Sequence, residues 1–384
     1  MAPIRLSRPV STATDLTDFT DFTDFTHATD EPIEADPDNR SLNSADFEVD
    51  TESLTESVKG VVHEYGRTYQ QWRAGAYPFP NDEDEYDRLG WQHLLIKCLL
   101  RNRNWFAPVK SLPSKYPKRV LDIGCGTGQW CREIAKEFPR SRVEGIDLSK
   151  PPNKFLQDSP ENLHFNMDDI RHRMWWGLAN DYTYDFIHTR MSLGIYPDFR
   201  EIIQKSFNNI EPGGYMESQE LDSKVFCDDG TMPDDWPFLE WSNDQNEAAH
   251  HKLGRPLRIA PRLKTWYEQA GFVDVKEEIF RIPINAWAKD PWLKMMGVFM
   301  AVNMRDGLYG FSVNYFHRAW GWTVPEIRAR LVPVYDSLKD NSVHAYFKVY
   351  VVHGRKPRKD EPPSQVPKPD TWPTEDNCYN DKAI

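Results

Sequence analysis

The sequence predicts an α/β fold of Rossmann-like type, a mostly parallel sheet flanked by helices. Three observations predict it. In residues 119–128, Val120, Leu121 and Ile123 bracket Asp122 in a short buried-strand pattern, and Gly124, Gly126 and Gly128 follow at alternate positions. Residues 129–138 then continue as an amphipathic helix. About 20 residues after Gly128 a second apolar run, 143–147, ends in Asp147. Strand, glycine turn, helix, strand and acid make a nucleoside-binding βαβ unit, because a carboxylate so placed can accept hydrogen bonds from a ribose diol.

The glycine spacing selects the ligand. A dinucleotide site uses G-x-G-x-x-G, with a helix dipole aimed at a pyrophosphate. Here the run is D-x-G-x-G-x-G. Glycines at 124, 126 and 128 let backbone N–H groups approach a ligand closely. Asp122 would repel a pyrophosphate and suits a ligand with an ammonium group. S-adenosylmethionine (SAM) has that group and no phosphate. Cys125 and Thr127, the variable residues of the turn, are placed with the glycines as cofactor-binding residues. Cys125 is not read as a nucleophile.

Composition bounds the rest. The chain has 384 residues, 39% of them hydrophobic and 13% aromatic, enough for a substantial core. A formal net charge of −12 argues against unaided binding to nucleic acid or to an anionic membrane. Five scattered cysteines in no metal spacing suit a reducing compartment, so a cytoplasmic or nuclear location is expected. No long apolar run predicts a membrane span or a secretory leader.

Residues 1–55 are expected to be a disordered acidic tail. Residues 14–25 repeat Thr-Asp-Leu and then Thr-Asp-Phe, which buries too little apolar surface to offset its ordering entropy. Residues 56–117 read as a helical lid, dense in aromatics and Arg up to Pro80, with acids at 82–85 opening a helix. Tyr65, Arg73 and Tyr77 are candidates to cover a sulfonium and hold a carboxylate; packing of the helix onto the core is the alternative.

The nucleoside-binding domain is expected over 118–357. Leu148 follows Asp147 into a Pro-rich turn. Strand 163–167 ends in Met167, Asp168 and Asp169. An acid there can accept from an adenine amino group, and Met167 or Ile170 can flank the ring; two solvated loop acids are the alternative. Trp175 and Trp176 read as core. Strand 185–190 carries His188, the best general-base candidate, because an unperturbed imidazole titrates near neutral pH and strand ends face the crevice. A structural role for a lone His at a strand end is the bland alternative. Helix 198–210, a turn at 211–214 and strand 215–220 follow. Residues 221–260 are a polar insertion whose His250 and His251 point apart on a helix and are not read as metal ligands. Helix 262–270 closes on Gly271 and strand 273–284 follows. Residues 286–343 form a helical insertion, 345–352 a last strand, and 358–384 a flexible tail.

Residues 120–128, Asp147, Asp168, Asp169 and the Pro212-Gly-Gly turn resemble a class I SAM-dependent methyltransferase. Residues 69–83, 186–190, 213–217 and 352–357 further resemble the fungal LaeA-like methyltransferases. The resemblance implies a seven-stranded sheet, order 3-2-1-4-5-7-6, with the last strand antiparallel. It also implies a cofactor role for Arg190. Family members act in fungal secondary metabolism. Some methylate small molecules of biosynthetic clusters; a nuclear regulator works with velvet-type protein partners.

Overall fold

The computed structural model describes residues 33–36, 61–71, 75, 77–171 and 183–367. Arg73, the Thr-Asp-Phe repeat and Trp175-Trp176 lie outside the described residues.

A hairpin comes first, β1 (Val61–Glu64) and β2 (Arg67–Gln70). The expected lid is therefore part strand. Helix α1 (Glu83–Leu99) begins at Asp82, whose side chain accepts from Glu85 N and also holds Arg67 at 2.5 and 2.6 Å. One carboxylate thus caps the helix and ties it to the hairpin. Acids at 83–85 sit where the helix dipole favours them.

The sheet follows: β3 (Arg119–Ile123), β4 (Arg142–Asp147), β5 (Leu163–Met167), β6 (Tyr184–Arg190), β7 (Ile210–Phe226), β8 (Val273–Pro283) and β9 (Tyr346–Arg355). Its order is β5-β4-β3-β6-β7-β9-β8, and β9 runs antiparallel to both neighbours. That is the order 3-2-1-4-5-7-6 anticipated above. Strands β3, β4 and β6 are buried almost throughout, as parallel strands covered on both faces must be. Strand β7 is longer than expected. It starts at Ile210, takes in the 211–214 turn through a register slip near Phe186, and continues to Phe226, six residues into the expected insertion.

Between the strands lie α2 (Gln129–Glu137), α3 (Asn153–Leu156), α4 (Phe199–Asn209), α5 (Pro237–Asn246) and α6 (Leu263–Ala270). The insertion before β9 contains α7 (Pro291–Trp320) and α8 (Val324–Ser337). Asp290 caps α7 through Leu293 N, and Thr323 with Glu326 forms a capping box on α8. Among the described residues no helix is long and apolar enough to cross a membrane.

Two expected tails are partly docked. Ala35 bridges Ala288, Asp36 N donates to Trp287 O at 2.9 Å, and Ile33 and Ala35 pack on Trp287, Ala288 and Tyr346. At the other end, Ser364 N reaches Gly271 O and Glu361 is paired with Arg355.

Candidate active site

The glycine turn is built by backbone bonds. Gly124 N and Cys125 N donate to Ile146 O, and Gly128 N donates to Cys125 O. Gly124 and Gly126 have φ of +73° and +53°. A Cβ on Gly126 would meet only Leu89 Cδ1 at 3.7 Å, and one on Gly124 only the Tyr196 hydroxyl at 4.0 Å. Both glycines border open space, at the C-terminal edge of the parallel strands where α/β folds bind ligands.

Asp147 stands beside them. Its Oδ2 accepts from Gly126 N at 2.9 Å and its Oδ1 from Ser149 N at 3.0 Å. Each oxygen keeps a lone pair for a ligand. Burial pushes the carboxyl up and the two N–H groups pull it back. Asp168 follows β5, its N–H donating to Asp147 O. Asp169 is forked onto Arg171 at 2.8 and 2.9 Å, so Asp168 is the freer of the two acids.

These groups line one cleft of about 1460 Å³ of empty space, counting the part open to solvent. Tyr77, Leu89, Gly124, Gly126, Asp147, Leu148, Asp168, Asp169, Ile170 and Arg190 border one end. Arg190 donates from Nε to Gln219 Oε1 at 2.8 Å and contacts His93 Nδ1 through Nη1 at 3.2 Å. Its Nη2 is buried with no hydrogen-bond partner among the described residues. A buried guanidinium nitrogen left open in the cleft wall is a place for a carboxylate.

Several expectations need correcting. Asp122 does not line the cleft: it is buried beneath the turn, bonded to His188 Nδ1 at 2.8 Å and to Cys131 Sγ at 3.2 Å. His188 is not exposed at all. Its ring stacks on Trp130 with centroids 3.8 Å apart, and burial holds its pKa below the ordinary imidazole value against the pull of Asp122. It cannot reach an acceptor in the cleft, so the general-base role fails on geometry. The strand register explains this: Asp122 and His188 sit opposite each other on β3 and β6, which brings the carboxylate onto His188 Nδ1.

Cys125 and Thr127 are buried away from the cleft wall. The Cys125 thiol lies against that of Cys131, and Thr127 Oγ1 donates to Gln129 Oε1 at 3.2 Å. Gly128 is needed for packing, not for a ligand: it begins α2 at φ +73°, and a Cβ there would collide with Phe165. Met167 is 59% exposed and outside the cleft, leaving Ile170 to flank a ring. Tyr65 packs on His317 and Tyr69, also away from the cleft. Leu89 and Tyr196 were not anticipated from the sequence; the two insertions, which carry α5 and α7, were expected to contribute acceptor-selecting residues, but none was named. The only signal for Tyr196 was its position in the loop after a strand that ends at the crevice.

An adenosyl ligand fits these residues. The two glycines leave the space above the turn clear, Asp147 offers ribose acceptors, Asp168 offers an acceptor near a ring flanked by Ile170, and Arg190 offers an unused donor. Sheet order and site together define a class I SAM-dependent methyltransferase. A family model described as a methyltransferase domain matches residues 95–277. The chain is 35% identical to methyltransferase pytC of Aspergillus terreus, over 85% of this chain and 96% of that one. It is 31% identical to secondary metabolism regulator LAE1 of Cochliobolus heterostrophus, over 77% and 95%. It is 28% identical to the protein-methionine methyltransferase laeA of Emericella nidulans, over 77% and 76%. The chain belongs to the fungal LaeA-like methyltransferase family.

Proposed function

We propose that the protein transfers a methyl group from SAM to a small-molecule acceptor in fungal secondary metabolism. One observation carries this reading. The cleft does not stop at the cofactor end but continues into a chamber walled by Trp241, Phe311, Tyr315 and Phe347, deep enough to enclose a small molecule.

SAM, when bound, supplies a methyl already activated on a sulfonium. The protein's part is then to hold both partners and exclude water. Asp147 and the glycine turn hold the ribose, Asp168 and Ile170 the adenine end, and Arg190 the carboxylate. Tyr77, Leu89 and Tyr196 line the same cleft and would help exclude water once SAM is bound. Alignment alone can supply about 7–11 kcal/mol of a barrier. Among the described residues lining the cleft there is no histidine, which fits a reaction driven by positioning more than by a strong base.

Comparing metabolites of a gene-deletion strain with its parent, both fed methyl-labelled methionine, tests the proposal. At least one labelled small molecule should vanish from the deletion strain. An unchanged labelled profile would remove the reading. The family likeness to LAE1 favours a second reading, a regulator acting through a velvet-type partner. Under it, many unlabelled metabolites should change together and the protein should co-purify with such a partner.

A further inference from the structure

Resting on the methyltransferase reading above, we infer that the acceptor is an uncharged, flat ring compound carrying an O–H or N–H donor, selected by Trp241 and Gln245. The acceptor chamber comes from β7, β9, α5 and α7 with Phe79 and Arg88, whereas the cofactor end comes from the ends of β3, β4 and β5 with Leu89 of α1. The two ends meet at Arg190, the last residue of β6, and at Met191 and Ser192 just past it.

The chamber offers ring surface. Phe79 meets Phe311 and Tyr315 edge-on, with centroids 5.7 and 5.8 Å apart and interplanar angles of 80° and 88°. The polar tips of the larger rings are already engaged. Trp241 Nε1 donates to Ser312 Oγ at 2.9 Å, and Tyr315 hydroxyl donates to Gly194 O at 2.9 Å. Such rings bind by stacking and apolar contact.

The chamber offers no free charge. Among the described residues its one charged side chain is Arg88, which is forked onto Glu85 at 2.6 and 2.9 Å and also donates to Gln92 and Asn303. A cationic acceptor would find no free carboxylate there. An anionic one would find the guanidinium committed. Either would lose its hydration without replacement.

Gln245 supplies the specific contact. Ser312 has one hydroxyl proton, and it goes to Leu308 O at 2.6 Å. Ser312 Oγ therefore acts as acceptor toward both Trp241 Nε1 and Gln245 Nε2, the latter at 3.1 Å. That fixes the amide's orientation. Nε2 must face Ser312, and Oε1 is left with no donor among the described residues. Gln245 is buried to 4% exposure and lines the cleft. An acceptor that faces the cleft and takes no proton from the described residues is matched by a hydroxyl or N–H on the ring compound.

The test is calorimetry on the full chain saturated with S-adenosylhomocysteine (SAH), using four probes: 2-naphthol, 2-methoxynaphthalene, 2-naphthoate and 2-naphthylmethylammonium. Naphthol should bind at least tenfold tighter than each of the other three. Gln245→Leu should erase the preference for naphthol over its methyl ether and leave SAH affinity unchanged, which also shows the variant is folded. Gln245→Glu should shift the preference toward the ammonium probe. Trp241→Ala should weaken all four. Equal or tighter binding of a charged probe, or a hydroxyl preference that survives Gln245→Leu, would overturn the inference. SAH binding without naphthol binding would sink the inference alone. Failure of the wild-type chain to bind SAH would sink the cofactor reading and the inference with it.

Discussion

At the scale of single residues, Asp147 is positioned before any ligand arrives, by the N–H groups of Gly126 and Ser149. Its remaining lone pairs are what a ribose diol would use. Asp147→Ala should remove charge-assisted bonds worth about 1.5–3 kcal/mol and weaken SAH binding roughly ten- to hundred-fold. Calorimetry showing wild-type affinity would refute the assignment. Two other carboxylates make a pH prediction. Burial pushes Glu217 up to about 7 and Glu220 up to about 8, from an ordinary value of 4.5. As pH rises from 4.5 toward 8, the unfolded chain loses these protons while the folded chain keeps them. Stability from these groups is therefore greatest below pH 4.5 and is lost through that interval. Glu220→Gln cannot ionise. The variant should unfold less readily than wild type at pH 8, by on the order of 2–4 kcal/mol, with the gap closing at pH 5. Parallel denaturant titrations at the two pH values would read this. Placement at the cleft was legible from the sequence where a motif fixed the backbone, as at Gly124, Gly126 and Asp147. It misled at Asp122 and His188, because an acid and an imidazole look equally reactive in a sequence whether they face a ligand or each other.

At the scale of elements, the three glycines of one turn serve different ends. Gly126 borders open cleft, and Gly128 clears space for Phe165. Gly126→Val should abolish measurable SAH binding, and a β-branched side chain at φ +53° should cost stability as well. Gly128→Ala should do the reverse in emphasis, costing about 2–4 kcal/mol of stability through a left-handed backbone and a crowded ring. Thermal denaturation beside SAH titration separates the two, and equal effects on binding would undo the distinction. The sheet strands were legible because short β-branched runs between glycine and proline signals have few other solutions. The first hairpin was not. Its turn places Tyr65 at φ +55° before Gly66, where an Asn-Gly pair would have announced it. Its aromatic and Arg content looked like lid, and only the pairing of Val61 with Gln70 shows strand.

At the scale of the whole molecule, residues 33–36 join the fold by laying a short extended segment on the link between β8 and α7. Removing residues 1–32 should change neither stability nor SAH affinity. Removing 1–36 should uncover Trp287 and Tyr346 and lower stability by about 1–2 kcal/mol, with SAH affinity unchanged. Differential scanning calorimetry of the two truncations decides it, and identical melting would show the docking to be energetically idle. The acceptor chamber was the least legible part of the chain. Its walls come from β7, α5, α7 and β9, stretches far apart in sequence. Helix α7 buries residues on most of its faces, from Met296 to Phe316, so no periodicity marks Phe311 and Tyr315 as cleft-lining.

Strand β9 lies between β7 and β8 and is the last of the described strands in chain order. On the ribosome, both of its neighbours therefore emerge and must wait with bare edges until Tyr346–Arg355 clears the exit tunnel. The cofactor half, β3 to β6, has no such dependence. A nascent chain can thus assemble the glycine-turn end of the cleft early, while the aromatic end closes only after Tyr346–Arg355 has been made.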